Sequence, residues 1–175
     1  MRTAHAERIR GFSLMEVVVV VAVVALLSSI VFAVAGSARE RSLRARGNAD
    51  LASLGIALDR YRAEFGRFPV AVSGSDEERA VILKRALEGE TEPSGETLPR
   101  PRAPFADFGS LVADSEGDWI ADPWGTPYHY AFDPSWGHGQ YFLLSPGPDG
   151  EAEFPDSSGQ YDPRAEVNRD NLEGR

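Results

Sequence analysis

Apolar and polar positions divide the chain into three regimes. From Val17 to Ala35 the side chains are apolar all round apart from Ser28 and Ser29, and a helix crossing a hydrocarbon core takes about 20 such residues. After Ala35 the pattern becomes one-sided. Leu51, Leu54, Leu58, Tyr61 and Phe65 recur at spacings of three and four, which sets them on one stripe of a helix, with Arg44, Arg46, Asp50, Asp59, Arg60, Arg62 and Glu64 on its other faces. No strong breaker separates Phe12 from Phe65. One continuous helix is therefore predicted, with Gly36, Gly47 and Gly55 as points where it could bend and Gly66 and Pro69 as its stop.

The third regime is a run of short elements. A helix is expected from Glu77 to Leu87, capped by Asp76 and favoured at its far end by Lys84 and Arg85. Residues 88–104, rich in Pro, Gly and Glu, read as an exposed loop. Phe105, Phe108, Leu111 and Val112 supply an apolar cluster expected to pack on the helix stripe. Two prolines and a glycine between Asp122 and Tyr128 force a turn. The aromatic runs Tyr128–Phe132 and Gln140–Leu144 then predict an antiparallel hairpin. Trp124 and Trp136 are expected to lie over the core rather than to hold a ligand. The fold class that follows is α+β: a long N-terminal helix packed on a small antiparallel sheet, with an irregular C-terminal region.

Composition narrows the function. The chain has 175 residues and a formal net charge of −9, enough for one modest domain with an appended segment and unsuited to a phosphate-binding face, so nucleic acid is excluded as a partner. Absence of cysteine removes disulfides, thiolate metal sites and thiol nucleophiles. His129 and His138 have no carboxylate, serine or second histidine at a spacing that suggests zinc or catalysis, and an enzyme is not expected.

Glu16 changes the reading of the apolar run, because an acid inside such a helix costs roughly 3 kcal/mol near mid-bilayer and needs a partner. Arg2, Arg8 and Arg10 make the leader a positively charged n-region. Arg39, Arg41, Arg44 and Arg46 weaken the charge asymmetry, but long domains translocate regardless, which places the C-terminal domain outside the cytoplasm. On the residues alone two interpretations stand level. The run is a secretory signal cut after Ala33-Val34-Ala35, releasing a soluble exported binding domain from Gly36, or it is a retained anchor with Glu16 at the interface.

A third interpretation comes from resemblance. Gly11-Phe12-Ser13-Leu14-Met15-Glu16 followed by an apolar run resembles the prepilin-type signal of type IV pilins and type II secretion pseudopilins. The resemblance implies cleavage between Gly11 and Phe12 by a membrane-embedded prepilin peptidase, and N-methylation of the new N-terminal Phe12. It also implies that Glu16 pairs with the Phe12 amine of a neighbouring subunit, so that relief of its burial drives assembly. Residues 1–11 become the leader, 12–35 the transmembrane and filament-core helix, 36–68 its amphipathic continuation, and 69–175 the globular head. Ala25 and Ala33 stand where many members carry glycine and proline.

The C-terminal region sharpens the likeness. Asp122-Pro123-Trp124-Gly125, and later Tyr141, Leu143, Ser145, Gly147, Asp149 and Gly150, are similar to the major pseudopilin of type II secretion, whose last loop binds calcium. An irregular, acidic loop offers the hard oxygen ligands that calcium takes. Carried over by position, the ligands are the Leu144 carbonyl, an oxygen of Ser145 and the carboxylates of Asp149 and Asp156. Ser157 stands where the family has a second acid, with Asp162 as its substitute. The implied protein is a single-pass inner-membrane subunit with its head in the periplasm, polymerised with itself into a pseudopilus. Its partners would be membrane lipid, minor pseudopilins, the prepilin peptidase and the inner-membrane secretion platform. A type IV pilin or minor pseudopilin is the alternative within the resemblance.

Overall fold

With no proline between Leu14 and Phe65, the valine run and three glycines are carried within one long helix, α1, from Leu14 to Phe65. It stops at Gly66, whose N–H still reaches the Arg62 carbonyl at 2.7 Å and whose φ of +80° turns the following chain out of the helix, a left-handed ending that glycine takes without a Cβ penalty. The computed structural model describes residues 12–109, 111–113, 118–137, 139–155 and 159–174; the side chains of 30–35, 112–113 and 166 lie outside that description. The chain divides within α1 into two units, Met1–Arg41 and Ser42–Arg175.

In the first unit, the large apolar side chains from Phe12 to Leu27 are each at least 50 % exposed. Among the described residues no helix is long and apolar enough to cross a membrane. The expected span 12–35 includes 30–35, whose side chains lie outside the described residues.

In the second unit, the stripe on α1 builds the core. Leu51, Leu54, Leu58 and Tyr61 are buried, and Phe65 packs at the edge. Helix α2, Asp76–Leu87, adds Ala80, Leu83, Ala86 and Leu87. Its cap is Ser75 rather than the expected Asp76. The Ser75 hydroxyl accepts the Glu78 N–H at 3.3 Å and the Glu78 carboxylate accepts the Ser75 N–H at 2.8 Å, so a reciprocal capping box displaces Asp76 into the first turn. The loop after α2 is exposed over much of its length but tied down. Thr91 is buried and its carbonyl accepts the Tyr61 hydroxyl at 2.9 Å, while Phe105 donates its N–H to the Leu87 carbonyl at 2.7 Å. Phe105 then meets the Tyr61 ring edge-on at 5.3 Å, as the cluster expectation required. Val112 lies outside the described side chains.

Strands β1, Val112–Ala113, and β2, Ile120–Ala121, form a small antiparallel pair. The predicted hairpin is β3, His129–Ala131, against β4, Phe142–Ser145, with Tyr130 opposite Leu143. A third strand that the sequence pattern did not announce, β5 at Leu172–Glu173, pairs with the other edge of β4 and sets Leu144 opposite Glu173. Trp124 and Trp136 are only half-buried and neither belongs to the central core. Gly47 does not interrupt α1. A Cβ there would come within 2.7 Å of the Leu172 side chain and 3.6 Å of Pro123, so its smallness admits β5 and the turn before β3 against the helix.

Burial along the stripe has a direct check. Leu58→Ala, at a fully buried position, is expected to lower unfolding free energy by about 3 kcal/mol. Ile56→Ala, on the exposed face of the same turn, is expected to change it by less than about 0.5 kcal/mol. Chemical denaturation of the full chain in detergent, followed by tryptophan fluorescence, reads both.

Candidate functional site

Three groups of residues carry chemistry beyond packing. The first is at the start of α1. Ser13 and Glu16 form a second capping box: the Glu16 carboxylate accepts the Ser13 N–H at 3.1 Å, and the Ser13 hydroxyl accepts the Glu16 N–H at 3.2 Å. The carboxylate thus satisfies a helix-end donor in its own chain. The signal was present in the sequence as Ser-x-x-Glu ahead of an apolar run. Phe12 is 81 % exposed, and Gly11 lies outside the described residues.

The second group joins the turn to the C-terminal loop. Asp122, 1 % exposed, accepts the N–H groups of Trp124 and Thr126 at 3.0 Å each through Oδ1, and the Ser145 hydroxyl at 2.5 Å through Oδ2. Ser145 Oγ in turn accepts the Gly147 N–H at 3.2 Å. Each of these contacts offsets the desolvation of a buried polar atom. Gly147 has φ +81°, and a Cβ there would lie 2.7 Å from the Asp170 carbonyl, so the loop folds back on the tail only with glycine at this position.

Of the residues expected to bind calcium, Leu144 and Ser145 end β4, and the Ser145 hydroxyl is already engaged with Asp122. Asp149 and Asp162 hold their own turns, accepting the N–H groups of Glu151 at 3.0 Å and Arg164 at 2.9 Å. Asp156 and Ser157 lie outside the described residues. Among the described residues no three acidic or histidine side chains gather where a metal could sit.

Oxygens do converge elsewhere in the loop, around two asparagines that the sequence pattern did not single out. Asn168 is buried and its orientation is set from both ends: Oδ1 accepts the Glu153 N–H at 2.9 Å, and Nδ2 donates to the Asp162 carbonyl at 2.7 Å. With Asn171 Nδ2 donating to Asn168 Oδ1 at 3.0 Å and to the Tyr161 hydroxyl at 3.3 Å, its Oδ1 faces the carbonyls of Pro146 at 2.8 Å and Glu151 at 3.2 Å. Turning the amide round lets Nδ2 donate to both carbonyls, but sets Asn171 Oδ1 3.0 Å from Asn168 Oδ1. Either orientation leaves an oxygen against an oxygen: Asn171 Oδ1 against the two carbonyls in the first, and against Asn168 Oδ1 in the second.

The third group surrounds His129. The sequence showed no acid at a suggestive spacing, yet the first turn of α2 brings Asp76 Oδ2 to 3.2 Å from His129 Nε2, while Asp76 Oδ1 takes the Arg79 guanidinium at 2.6 Å. Arg79 also donates to the Gly74 carbonyl at 2.6 Å. Among the described residues no nucleophile joins the set, and Phe154 closes it, stacked on the imidazole at 4.7 Å with the guanidinium 3.7 Å from the centre of its ring. His138 lies outside the described residues.

A long N-terminal helix carrying a small antiparallel head, begun by a Gly-Phe-Ser-Leu-Met-Glu phrase, defines the prepilin-type class of filament subunits. The family profile for the prokaryotic N-terminal methylation motif matches residues 8–32. The chain is 30 % identical to the type II secretion system core protein G of Pectobacterium carotovorum over 88 % of its own length and 85 % of the relative's. It is 30 % identical to core protein G of Klebsiella pneumoniae, covering 89 % and 96 % of the two chains, and 31 % identical to that of Escherichia coli, covering 81 % and 83 %. No solved structure matches it. The chain belongs to the type II secretion system core protein G family, the major pseudopilins. Its relatives are structural proteins rather than enzymes.

The Asp122 junction is testable by mutation. Asp122→Ala strands the Ser145 hydroxyl and two N–H groups and is expected to lower stability by about 3 kcal/mol, against about 1 kcal/mol for Ser145→Ala. Urea denaturation midpoints of the full chain in detergent check that order.

Proposed function

We propose that the protein is the repeating subunit of a pseudopilus, cut after Gly11, methylated on Phe12 and held before assembly as a single-pass inner-membrane protein with its head in the periplasm. The observation that carries this reading is an apolar helix, exposed from Phe12 to Leu27 and carrying one acid near its start, in a chain of the core protein G family. Apolar surface of that extent needs lipid or the same helix of other subunits around it. Minor pseudopilins, the prepilin peptidase and the inner-membrane platform are the further partners of this reading.

Glu16 then works in two states. In the lone subunit it caps its own helix with Ser13. In the filament it takes the α-amine of a neighbour's Phe12, exchanging a charge-assisted bond to a backbone N–H for an ion pair in low dielectric. Mass spectrometry of the protein purified from membranes is expected to find methylated Phe12 as the N-terminus; a start at Gly36 overturns the proposal in favour of a released soluble domain. Glu16→Ala is expected to abolish filaments while the subunit remains in the membrane. Normal filaments from that variant would remove the role given to the carboxylate.

The same proposal includes calcium in the C-terminal loop. Asn171 Oδ1 and the carbonyls of Pro146 and Glu151 would hold it, with Asn168 fixing the Asn171 amide. The ion supplies positive charge that resolves the oxygen contacts and joins loop to tail. Calcium, compared with chelator, is expected to raise the melting temperature of the full chain in detergent. Asn171→Ala is expected to abolish that response. Asn171→Asp, with one more ligand charge, is expected to bind calcium more tightly. An unchanged melting temperature for the parent, or an Asn171→Asp chain that calcium does not stabilise, would refute the site without touching the filament proposal.

A further inference from the structure

The proline-rich segment after α2 is held in place with most of its side chains outward. Residues 98–104, Leu-Pro-Arg-Pro-Arg-Ala-Pro, contain three prolines, and Leu98, Arg100 and Ala103 each precede one. Proline fixes its own φ and pushes the residue before it into extended backbone, so this strap favours the polyproline II conformation before any partner arrives. Its backbone is also tied down: the Leu98 N–H reaches the Glu90 carbonyl at 2.7 Å, and the Arg102 N–H reaches the Gly89 carbonyl at 2.8 Å. Arg102 meets Glu64 of α1 at 3.5 Å and Phe105 packs on Tyr61, so with three residues per turn these two share the edge turned to the body. Pro101 and Pro104 fall on a second edge, Arg100 and Ala103 on the third, and all four are exposed.

A groove lies on the other flank of α1. Two adjoining clefts of about 440 and 290 Å³ have Tyr141 as a common wall; Asp59 and Phe68 bound the larger, Trp136 and Tyr161 the smaller. Arg62 draws its guanidinium over the Phe68 ring at 5.1 Å rather than onto Asp59. Among the described residues the Asp59 carboxylate has no cation or hydrogen-bond donor, and the Arg100 guanidinium has no acceptor. We propose that the strap 98–104 of one subunit docks in this groove of the next, Arg100 on Asp59 and the Pro101 and Pro104 rings against Tyr141 and Trp136. Aromatic-lined grooves take prolines spaced three apart at little cost in entropy, and Arg100 brings the charge that Asp59 is missing. The occupant is a second copy, because both halves belong to one chain and cannot meet within it. At about 100° per residue, Glu64 beside the strap and Asp59 in the groove fall on opposite sides of the buried stripe of Leu58 and Tyr61. A contact between two different patches of identical subunits is head-to-tail, and such contacts propagate along a helical filament. The strap contact rests on the filament proposal and adds to it a bond between heads.

The chain has no cysteine, so disulfide capture reports only introduced pairs. In filaments of the full chain, Ala103→Cys combined with Gln140→Cys is expected to give a ladder of crosslinked multimers on mild oxidation, and either cysteine alone to leave monomer. In the paired background Arg100→Asp or Asp59→Arg, both at exposed positions, is expected to cut the ladder about tenfold, and the two reversals together to restore it. Filaments in which the paired cysteines give no ladder overturn the strap contact and leave the filament standing, and so does a ladder that the charge reversals do not change. A parent chain that forms no filaments overturns both.

Discussion

Asp122 is the point on which the head depends. A carboxylate that is 1 % exposed and, among the described residues, has no cation bonded to it persists only if its oxygens are met by donors. Two of those donors are backbone N–H groups of its own turn, and the third is a hydroxyl at the end of β4. The first two give the turn its shape, and the third fixes where the strand that follows must finish. Once Ser145 is held there, Gly147 is brought against the tail and β5 is placed on the free edge of β4. The order of the small sheet is thus imposed by polar bonding at one end, while the α1 stripe supplies its apolar backing.

The same economy appears wherever a helix begins. Ser75 with Glu78 starts α2, and Ser13 with Glu16 starts α1, by the same reciprocal pair of bonds. In α2 the capping box frees Asp76 to bind Arg79 and His129. In α1 it occupies an acid that would otherwise sit in an apolar helix unmatched. One local motif therefore starts a helix of the head in one place and, in the other, satisfies the acid at the start of an apolar helix.

What could be read in advance followed from physical range. The stripe from Leu51 to Phe65, the stop at Gly66 and the hairpin around Tyr130 and Leu143 depend on neighbours three, four or a few residues away, and their patterns are visible in a linear chain. Ser75 was missed for Asp76 because adjacent residues compete for one cap and the sequence favours neither until Glu78 is counted. β5 has only two residues and no periodicity, so its position is decided by β4 rather than by its own composition. His129 and Asp76 meet because α2 packs beside β3, and spacing along the chain has no bearing on that. The oxygens that converge around Asn171 come from backbone carbonyls and one amide, which composition alone does not distinguish from turn residues.

The seating of Leu172 against Gly47 also bears on how the head reaches its final state. Its two partners are separated by most of the chain, so closing that contact carries a large loop entropy and belongs late in folding. Until it forms, β4 presents a bare edge of backbone donors and acceptors beside an uncovered notch on the helix. Such an edge is open to strands from other molecules. The interval before β5 docks is thus the period of greatest exposure to misassembly, and the small residue at position 47 lets the last strand settle without displacing the helix.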